Sequence, residues 1–242
     1  MIKALERNFM DRYLIAIGGG SLAEKETKDI DGYCAELAKK HAGDKRAIGV
    51  FIGTASHDSM PYFNSFRKTY TSIFDIKADC VLSVYGEMDY EKIKSKFEKA
   101  DMLYIGGGDT LYMLERWKET GVYKLVLDAY MRGVPVAGIS AGAIFWFNKM
   151  YTDSEKYIGG EEYCVKDGIA KIGGICCPHY EVRQPDFDPK FPLCGEKTGW
   201  LIEGNSALVF KNETYVEALM SGGNAYKAEL SSSGEIIKNK LI

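Results

Sequence analysis

The stretch VPVAGISAGAI, residues 134–144, decides the fold class. An apolar strand runs into Gly-x-Ser-x-Gly and an apolar helix follows at once, which is the context of a nucleophile elbow. The serine of an elbow lies at the apex of a strained turn, where side chains two residues to either side would collide with neighbouring backbone. We therefore predict that Gly138 and Gly142 flank a nucleophilic Ser140 at the carboxyl end of a sheet. The alternative is a chance pentapeptide whose glycines only join a strand to a helix.

Upstream of this stretch, short apolar runs alternate with segments of helical periodicity. Strands are predicted at residues 13–17, 47–52, 80–84, 102–105 and 134–139, and helices at about 30–43, from 61, at 89–99 and as a pair between 111 and 132. This alternation predicts an α/β fold with a mainly parallel sheet covered on both faces. After about residue 160, short apolar pieces between turn signals predict C-terminal hairpin strands added to the same sheet.

The composition sets the broad class. A chain of 242 residues with 46% hydrophobic residues suits one domain spanning residues 1–242, and no stretch has the composition of a linker. The net charge of −3, with acidic and basic residues mixed along the chain, argues against a nucleic-acid or membrane-surface partner. The N-terminus lacks the apolar centre of a signal peptide, and no apolar run approaches the length of a membrane span. We therefore expect a cytoplasmic protein.

Cysteine and histidine spacing gives no reason to expect a cofactor or a metal. None of the six cysteines forms a C-x-x-C pair, and the three histidines do not combine with them into a zinc pattern. A disulfide framework is not expected at this length in the cytoplasm. The glycines at 18–20 lack the full G-x-G-x-x-G spacing, so they give little support to dinucleotide binding.

A second glycine run, at residues 106–108, also follows a predicted strand. Consecutive glycines expose backbone N–H groups that no side chain shields. We predict that an N–H of Gly107 or Gly108 forms an oxyanion hole together with the N–H of Ala141. Asp109 or Thr110 would then cap the next helix. The alternative is a plain turn between a strand and a helix.

A serine hydroxyl needs a base to take its proton, and the sequence offers three histidines. His41 lies at the end of a predicted helix, where an exposed imidazole near the helix C-terminus is an ordinary feature. His57 lies in the loop TASHDS after a predicted strand, and His179 follows the apolar run ICCP. The chain order nucleophile, acid, base favours His179 over His57.

Several separated motifs together resemble peptidase family S51, whose members include peptidase E (aspartyl dipeptidase) and cyanophycinase. They are GISAGA at 138–143, GGGDT at 106–110 and CPHY at 177–180. The loop TASHDS and the run IFWF at 144–147 look similar to the peptidase E-like branch. The resemblance spans roughly residues 13–225. It implies a three-layer α/β/α sandwich, flavodoxin-like or class I glutamine-amidotransferase-like, with serine in place of the amidotransferase cysteine.

The resemblance also implies an activity. Ser140 would be the nucleophile and His179 the base of a serine exopeptidase that cleaves after an N-terminal aspartate in small peptides, through an acyl-enzyme. The third triad member would be an acidic residue shortly after the elbow helix, either Asp153, which we favour, or Glu155. A homodimer is expected from the resemblance alone. The alternatives are a cyanophycinase-like or other small acyl hydrolase, and a non-catalytic ligand-binding protein of the same fold.

A substrate aspartate would need a cation or several N–H donors near the nucleophile. Arg183 lies just beyond the predicted base, and a guanidinium binds a carboxylate bidentately. Asp109 and His57, at the ends of predicted strands, are further candidates for substrate binding. The alternative for Arg183 is an ordinary surface arginine.

Overall fold

The computed structural model describes residues 11–86 and 88–241. The strands in this part of the chain are β1 (Tyr13–Ile17), β2 (Ile48–Ile52), β3 (Lys77–Val81), β4 (Met102–Ile105), β5 (Val136–Ile139), β6 (Phe147–Thr152), β7 (Cys164–Asp167), β8 (Ile172–Pro178), β9 (Thr198–Ile202), β10 (Ser206–Lys211), β11 (Thr214–Met220), β12 (Ala225–Leu230) and β13 (Ile236–Lys240). The α-helices are α1 (Lys28–Ala42), α2 (Met60–Ser72), α3 (Tyr90–Lys99), α4 (Thr110–Thr120), α5 (Val122–Met131), α6 (Ala141–Ile144) and α7 (Tyr180–Lys190).

The larger sheet has seven strands in the order β11-β10-β1-β5-β4-β2-β3. Its five strands from β1 to β3 in this order pair in parallel, whereas β10 and β11 are antiparallel additions at one edge. The apolar runs of β4 and β5 are buried along their whole length, as expected of parallel strands covered on both faces. The predicted α/β sandwich with a mainly parallel sheet is confirmed.

A second sheet of six strands has the order β13-β12-β9-β8-β6-β7. In it β8 pairs in parallel with both β6 and β9, and the outer pairs are antiparallel. The expectation that the C-terminal strands extend the first sheet was wrong for most of them, since of those after residue 160 only β10 and β11 join it. Turn signals and short apolar runs predict strands but do not specify which sheet a strand joins.

The two sheets share a hydrophobic core. One face of the larger sheet packs against α1 and α2. The opposite face packs against α3, α4 and α5 and against apolar side chains of the second sheet, among them Phe147, Met150 and Trp200. This shared core fixes the second sheet against that face, and the end of β8 reaches the carboxyl end of β1.

The third strand is observed at Lys77–Val81, shifted towards the N-terminus from the predicted 80–84. The third strand ends at Val81 and does not continue to Val84, because the Asp58 carboxylate accepts the N–H groups of Ser83 and Val84 at 2.6 and 2.7 Å. The helix after the predicted elbow is only one turn long, and β6 begins at Phe147. No helix among the described residues has the length and apolar character needed to span a bilayer.

Candidate active site

Ser140 follows β5 directly and has φ 52° and ψ −111°, a conformation that L-residues rarely adopt. Its N–H donates to the carbonyl of Ile17 at 2.9 Å. A Cβ on Gly138 would lie 1.9 Å from the carbonyl oxygen of Gly142, and one on Gly142 would lie 2.3 Å from that of Ile105. Both positions therefore require glycine, and the serine has the backbone geometry of a nucleophile elbow.

His179 lies at the end of β8, in the second sheet, with its Nε2 atom 3.0 Å from Ser140 Oγ. The His179 N–H donates to the carbonyl of Gly18 at 3.1 Å, which ties the end of β8 to the end of β1. The imidazole packs on Gly19, where an added Cβ would lie 2.5 Å from Nδ1. The structure thus brings the predicted nucleophile and the predicted base within hydrogen-bond distance across the junction of the two sheets.

The environment of His179 favours its neutral form. Burial lowers the pKa of the imidazole below its ordinary value, and the positive charge of Arg183 lowers it further. The charges of Glu181 and Asp153 act in the opposite direction. An imidazole with a lowered pKa is unprotonated at neutral pH, as a group that accepts the serine proton must be.

Of the three residues predicted to supply N–H groups to an oxyanion hole, Gly107 and Ala141 lie directly beside the serine. Gly107 packs on Ser140, since an added Cβ would lie 3.3 Å from the serine Cβ. The Gly107 N–H donates to the hydroxyl of Tyr62 at 3.4 Å. Within residues 11–86 and 88–241, the N–H groups of Gly108 and Ala141 donate to no acceptor. These last two N–H groups are therefore the ones available to a developing oxyanion.

Neither predicted acid is hydrogen-bonded to the base. Asp153 accepts a hydrogen bond from Lys156 at 2.5 Å and forms an ion pair with Arg183 at 3.5 Å. Burial raises the pKa of Asp153, but these two cations outweigh it, and the pKa is lowered overall. Glu155 forms an ion pair with Lys166. In the described chain no carboxylate accepts a hydrogen bond from the His179 ring, so the observed unit is a Ser–His dyad with acidic charges nearby.

Arg183 is buried, with 5% of its surface exposed, so the alternative of a surface arginine was wrong. Its guanidinium donates to the carbonyl of Tyr151 at 2.9 Å, pairs with Asp153 and lies 5.0 Å from the centre of the Tyr163 ring. These contacts hold the guanidinium beside Asp153, which follows β6. Its binding to a substrate carboxylate stays a prediction.

The two other predicted binding residues lie at the same edge of the sheet. The Asp109 carboxylate caps α4 by accepting the N–H groups of Leu111 and Tyr112, both at 3.1 Å. His57 is exposed and packs on the ring of Tyr112, with 4.2 Å between ring centres. They stand beside the glycine run at 106–108, and their contact with substrate stays a prediction.

His41 lies at the amino ends of the strands, away from this edge. Its Nδ1 atom is 3.0 Å from the carboxylate of Asp101, which precedes β4 and also accepts the N–H of Ile48. The helix-end position that the sequence predicted for His41 is therefore the observed one, although its imidazole pairs with a carboxylate and is partly buried.

Sequence reasoning missed three residues of the site. Gly19 supports the base, and its glycine run was considered only for dinucleotide binding. Glu181 is the acid whose charge acts most strongly on the imidazole, and its place two residues after His179 was a signal that could have found it. Tyr62 reaches the glycine run at 106–108 from α2, and nothing in its sequence context indicates this.

The described residues contain no group of three or more His, Cys, Asp or Glu side chains arranged to hold a metal ion. All six cysteines lie in the described part of the chain and are unpaired there. Burial raises the pKa of the Cys177 thiol, two residues before His179, well above its ordinary value. This thiol is therefore not an activated nucleophile.

Known proteins resemble this chain in sequence and in fold. The model of peptidase family S51 matches residues 14–218. A Bacillus subtilis protein named uncharacterized peptidase YgaJ is 30% identical over 229 residues, covering 91% of this chain and 93% of that protein. Among solved structures, a peptidase from an acI-B1 actinobacterium aligns over 96% of this chain and 98% of that one, with a TM-score of 0.68 and 18% identity. A Listeria monocytogenes EGD-e protein described as a candidate peptidase E aligns over 87% and 98%, with a TM-score of 0.58 and 18% identity.

Proposed function

Because the chain belongs to peptidase family S51, we propose that this peptidase is a serine exopeptidase that releases N-terminal aspartate from dipeptides or short peptides. The observation that carries the proposal is the 3.0 Å contact between His179 Nε2 and Ser140 Oγ at a strained strand end. The peptidase E description of one solved relative supports the aspartyl preference.

The mechanism follows from the dyad. The neutral imidazole of His179 takes the proton of Ser140 as Oγ attacks the carbonyl carbon of the scissile bond. The carbonyl oxygen becomes negatively charged beside the N–H groups of Gly108 and Ala141. Collapse of this intermediate breaks the C–N bond, and the imidazolium gives its proton to the leaving amine. Water then attacks the acyl-enzyme by the same route, which releases the acid and restores the serine hydroxyl.

Acidic charges near the base assist this cycle. The imidazolium that forms in each half-reaction is stabilised by the negative charges of Glu181 and Asp153. Asp153 is favoured over Glu155 as the acid predicted from the sequence, because its charge acts on the imidazole whereas Glu155 is paired with Lys166. Asp153 also offsets the charge of Arg183, which would otherwise disfavour the imidazolium.

A fluorophosphonate probe and a substrate panel test the proposal. We expect the probe to label the wild-type protein and to leave Ser140→Ala unlabelled. We expect Asp-Leu to be hydrolysed in preference to Glu-Leu, Asn-Leu and Ala-Leu, and an acetyl ester to be a poor substrate. Labelling with a preference for another acyl group would refute the aspartyl assignment and favour another small acyl hydrolase. No labelling and no hydrolysis would favour the non-catalytic alternative.

A further inference from the structure

Tyr62 enters the candidate site from the first turn of α2. Its ring packs edge-to-face on Phe51, with 5.0 Å between ring centres, and lies so close to Gly106 that an added Cβ there would be 3.0 Å from Cε1. These contacts hold the phenol against the glycine run beside the serine. Its hydroxyl oxygen accepts the N–H of Gly107 at 3.4 Å.

The Tyr62 hydroxyl keeps its own proton available. In the described part of the chain this O–H donates to no acceptor. Burial raises the pKa of the phenol to about 12, so the group stays protonated over the physiological range. A partly buried hydroxyl near a nucleophile, whose O–H donates to no protein acceptor, is able to donate a hydrogen bond to the substrate.

We propose that the Tyr62 hydroxyl is a specificity-determining donor to the side-chain carboxylate of the substrate's N-terminal aspartate. This inference rests on the proposed function. Gly107 contacts both residues: its N–H donates to the Tyr62 hydroxyl at 3.4 Å, and its added Cβ would be 4.0 Å from Ser140 Oγ. An aspartyl carboxylate carbon is three bonds, about 4 Å, from the acyl carbon, so it can extend from the acylated serine along the one residue that contacts both side chains. Alanine carries no carboxylate, and glutamate places its carboxylate one bond farther away.

Two observations favour the side chain as the acceptor over the oxyanion. The N–H groups of Gly108 and Ala141 are already available to the oxyanion. The guanidinium of Arg183, the cation predicted from the sequence, is engaged by Tyr151 and Asp153. A hydroxyl donor to a carboxylate forms a charge-assisted hydrogen bond, which is about twice as strong as a neutral one.

The test compares Tyr62→Phe with Tyr104→Phe. Phenylalanine keeps the ring contacts with Phe51 and removes only the hydroxyl. Tyr104 is the matched control because it also packs near Phe51 and carries a buried hydroxyl, but it belongs to the core and not to the site. We expect Tyr62→Phe to lower the ratio of kcat/KM for Asp-Leu to that for Ala-Leu, whose side chain has no acceptor, by about 10- to 100-fold. Tyr104→Phe should change this ratio by less than about 2-fold.

A binding measurement supplements the kinetics. Calorimetry on Ser140→Ala should show L-aspartate binding that the double variant Ser140→Ala/Tyr62→Phe weakens by about 10-fold or more. An unchanged substrate ratio in Tyr62→Phe, or an equal loss on all substrates, would overturn the inference, the second result assigning the hydroxyl to the oxyanion. A wild-type enzyme without a preference for Asp-Leu would instead refute the proposed function, a result visible before any Tyr62 variant is made.

Discussion

The nucleophile and the base lie on different sheets, and the two halves hold them by different means. Ser140 is fixed by backbone packing, because Gly138, Gly142 and Gly107 allow neighbouring strand ends to approach closely. His179 is held by a backbone hydrogen bond to Gly18 and by packing on Gly19, and charged side chains surround its imidazole. The serine half thus depends on shape, whereas the histidine half depends on shape and on electrostatics.

Buried carboxylates show the same contrast. On the serine side, Asp31 of α1 is completely buried and is hydrogen-bonded by two neutral hydroxyls, those of Thr27 and Tyr70, both at 2.9 Å. Burial therefore raises its pKa to about 6. On the histidine side, two cations lower the pKa of Asp153 in spite of its burial. Asp31 thus lies without a cation among packed side chains, whereas Asp153, near the base, lies beside two cations.

The largest expected effect tests whether the base belongs to the second sheet. We expect His179→Ala to lower kcat/KM for Asp-Leu by about 10⁴-fold, because the serine loses its proton acceptor. His57→Ala and His41→Ala are the matched controls, one at the same edge of the sheet and one at the opposite edge. Steady-state kinetics of the three variants decides the assignment. A loss in His57→Ala as large as that in His179→Ala would place the base on the first sheet.

The next effect concerns the shape of the serine half. Gly142→Ala places a Cβ 2.3 Å from the carbonyl oxygen of Ile105, so we expect the free energy of unfolding to fall by about 3 kcal/mol. Gly173→Ala in β8 is the matched control, since its added Cβ meets no atom within 4 Å. Its stability should stay within about 0.5 kcal/mol of wild type in urea unfolding. Equal stabilities of the two variants would remove the argument that packing holds the serine.

A third prediction uses the pH dependence of stability. Because the folded-state pKa of Asp31 is raised to about 6, the folded protein retains a proton that the unfolded chain releases above about pH 4. Stability from this group is complete below the unfolded pKa and is lost as pH rises through 6. The free energy of unfolding of Asp31→Asn minus that of wild type should therefore increase by about 3 kcal/mol between pH 4 and pH 7.

Urea unfolding at several pH values measures this difference, with Asp29→Asn as a control on the exposed first turn of α1. If this difference in the free energy of unfolding did not change with pH, the pKa of Asp31 would be the same in the folded and the unfolded protein. The contrast between the two buried carboxylates would then be lost.

The smallest expected effect concerns charge around the base. Asp153→Asn leaves the Arg183 charge uncompensated, so we expect the pKa of His179 to fall further and kcat/KM to drop about 10-fold. The acid limb of the kcat/KM profile should move to lower pH. Glu155→Gln, at the alternative acid, should change kcat/KM by less than about 2-fold. A larger effect in Glu155→Gln would exchange the two assignments.

Sequence reasoning succeeded where local geometry forces the residue type. The elbow requires glycines at 138 and 142, and the apolar runs of the parallel strands can be buried in few other ways. Chain order and the family resemblance paired Ser140 with His179, and the two side chains meet although they follow strands of different sheets.

Sequence reasoning was less successful where contacts between residues far apart in the chain determine the structure. Membership of a strand in one sheet or the other depends on partners far along the chain, so the second sheet was not predicted. The partners of the Arg183 guanidinium, which come from β6 and the segment after it, were not predicted. Tyr62 reaches Gly107 across 45 residues of sequence, and no local pattern reports such a contact.

The end of the first strand positions both the nucleophile and the base, although its sequence carries no reactive side chain. The carbonyls of Ile17, the last residue of β1, and of Gly18, the residue after it, accept the N–H groups of Ser140 and His179 respectively. Adjacent peptide units therefore hold two residues that follow strands of separate sheets. The spacing of these peptide units sets the distance between Ser140 Oγ and His179 Nε2. Inserting one residue between Ile17 and Gly18 would separate Ser140 from His179 without altering either side chain. A dipeptide that performs no chemistry itself therefore sets the geometry of the site.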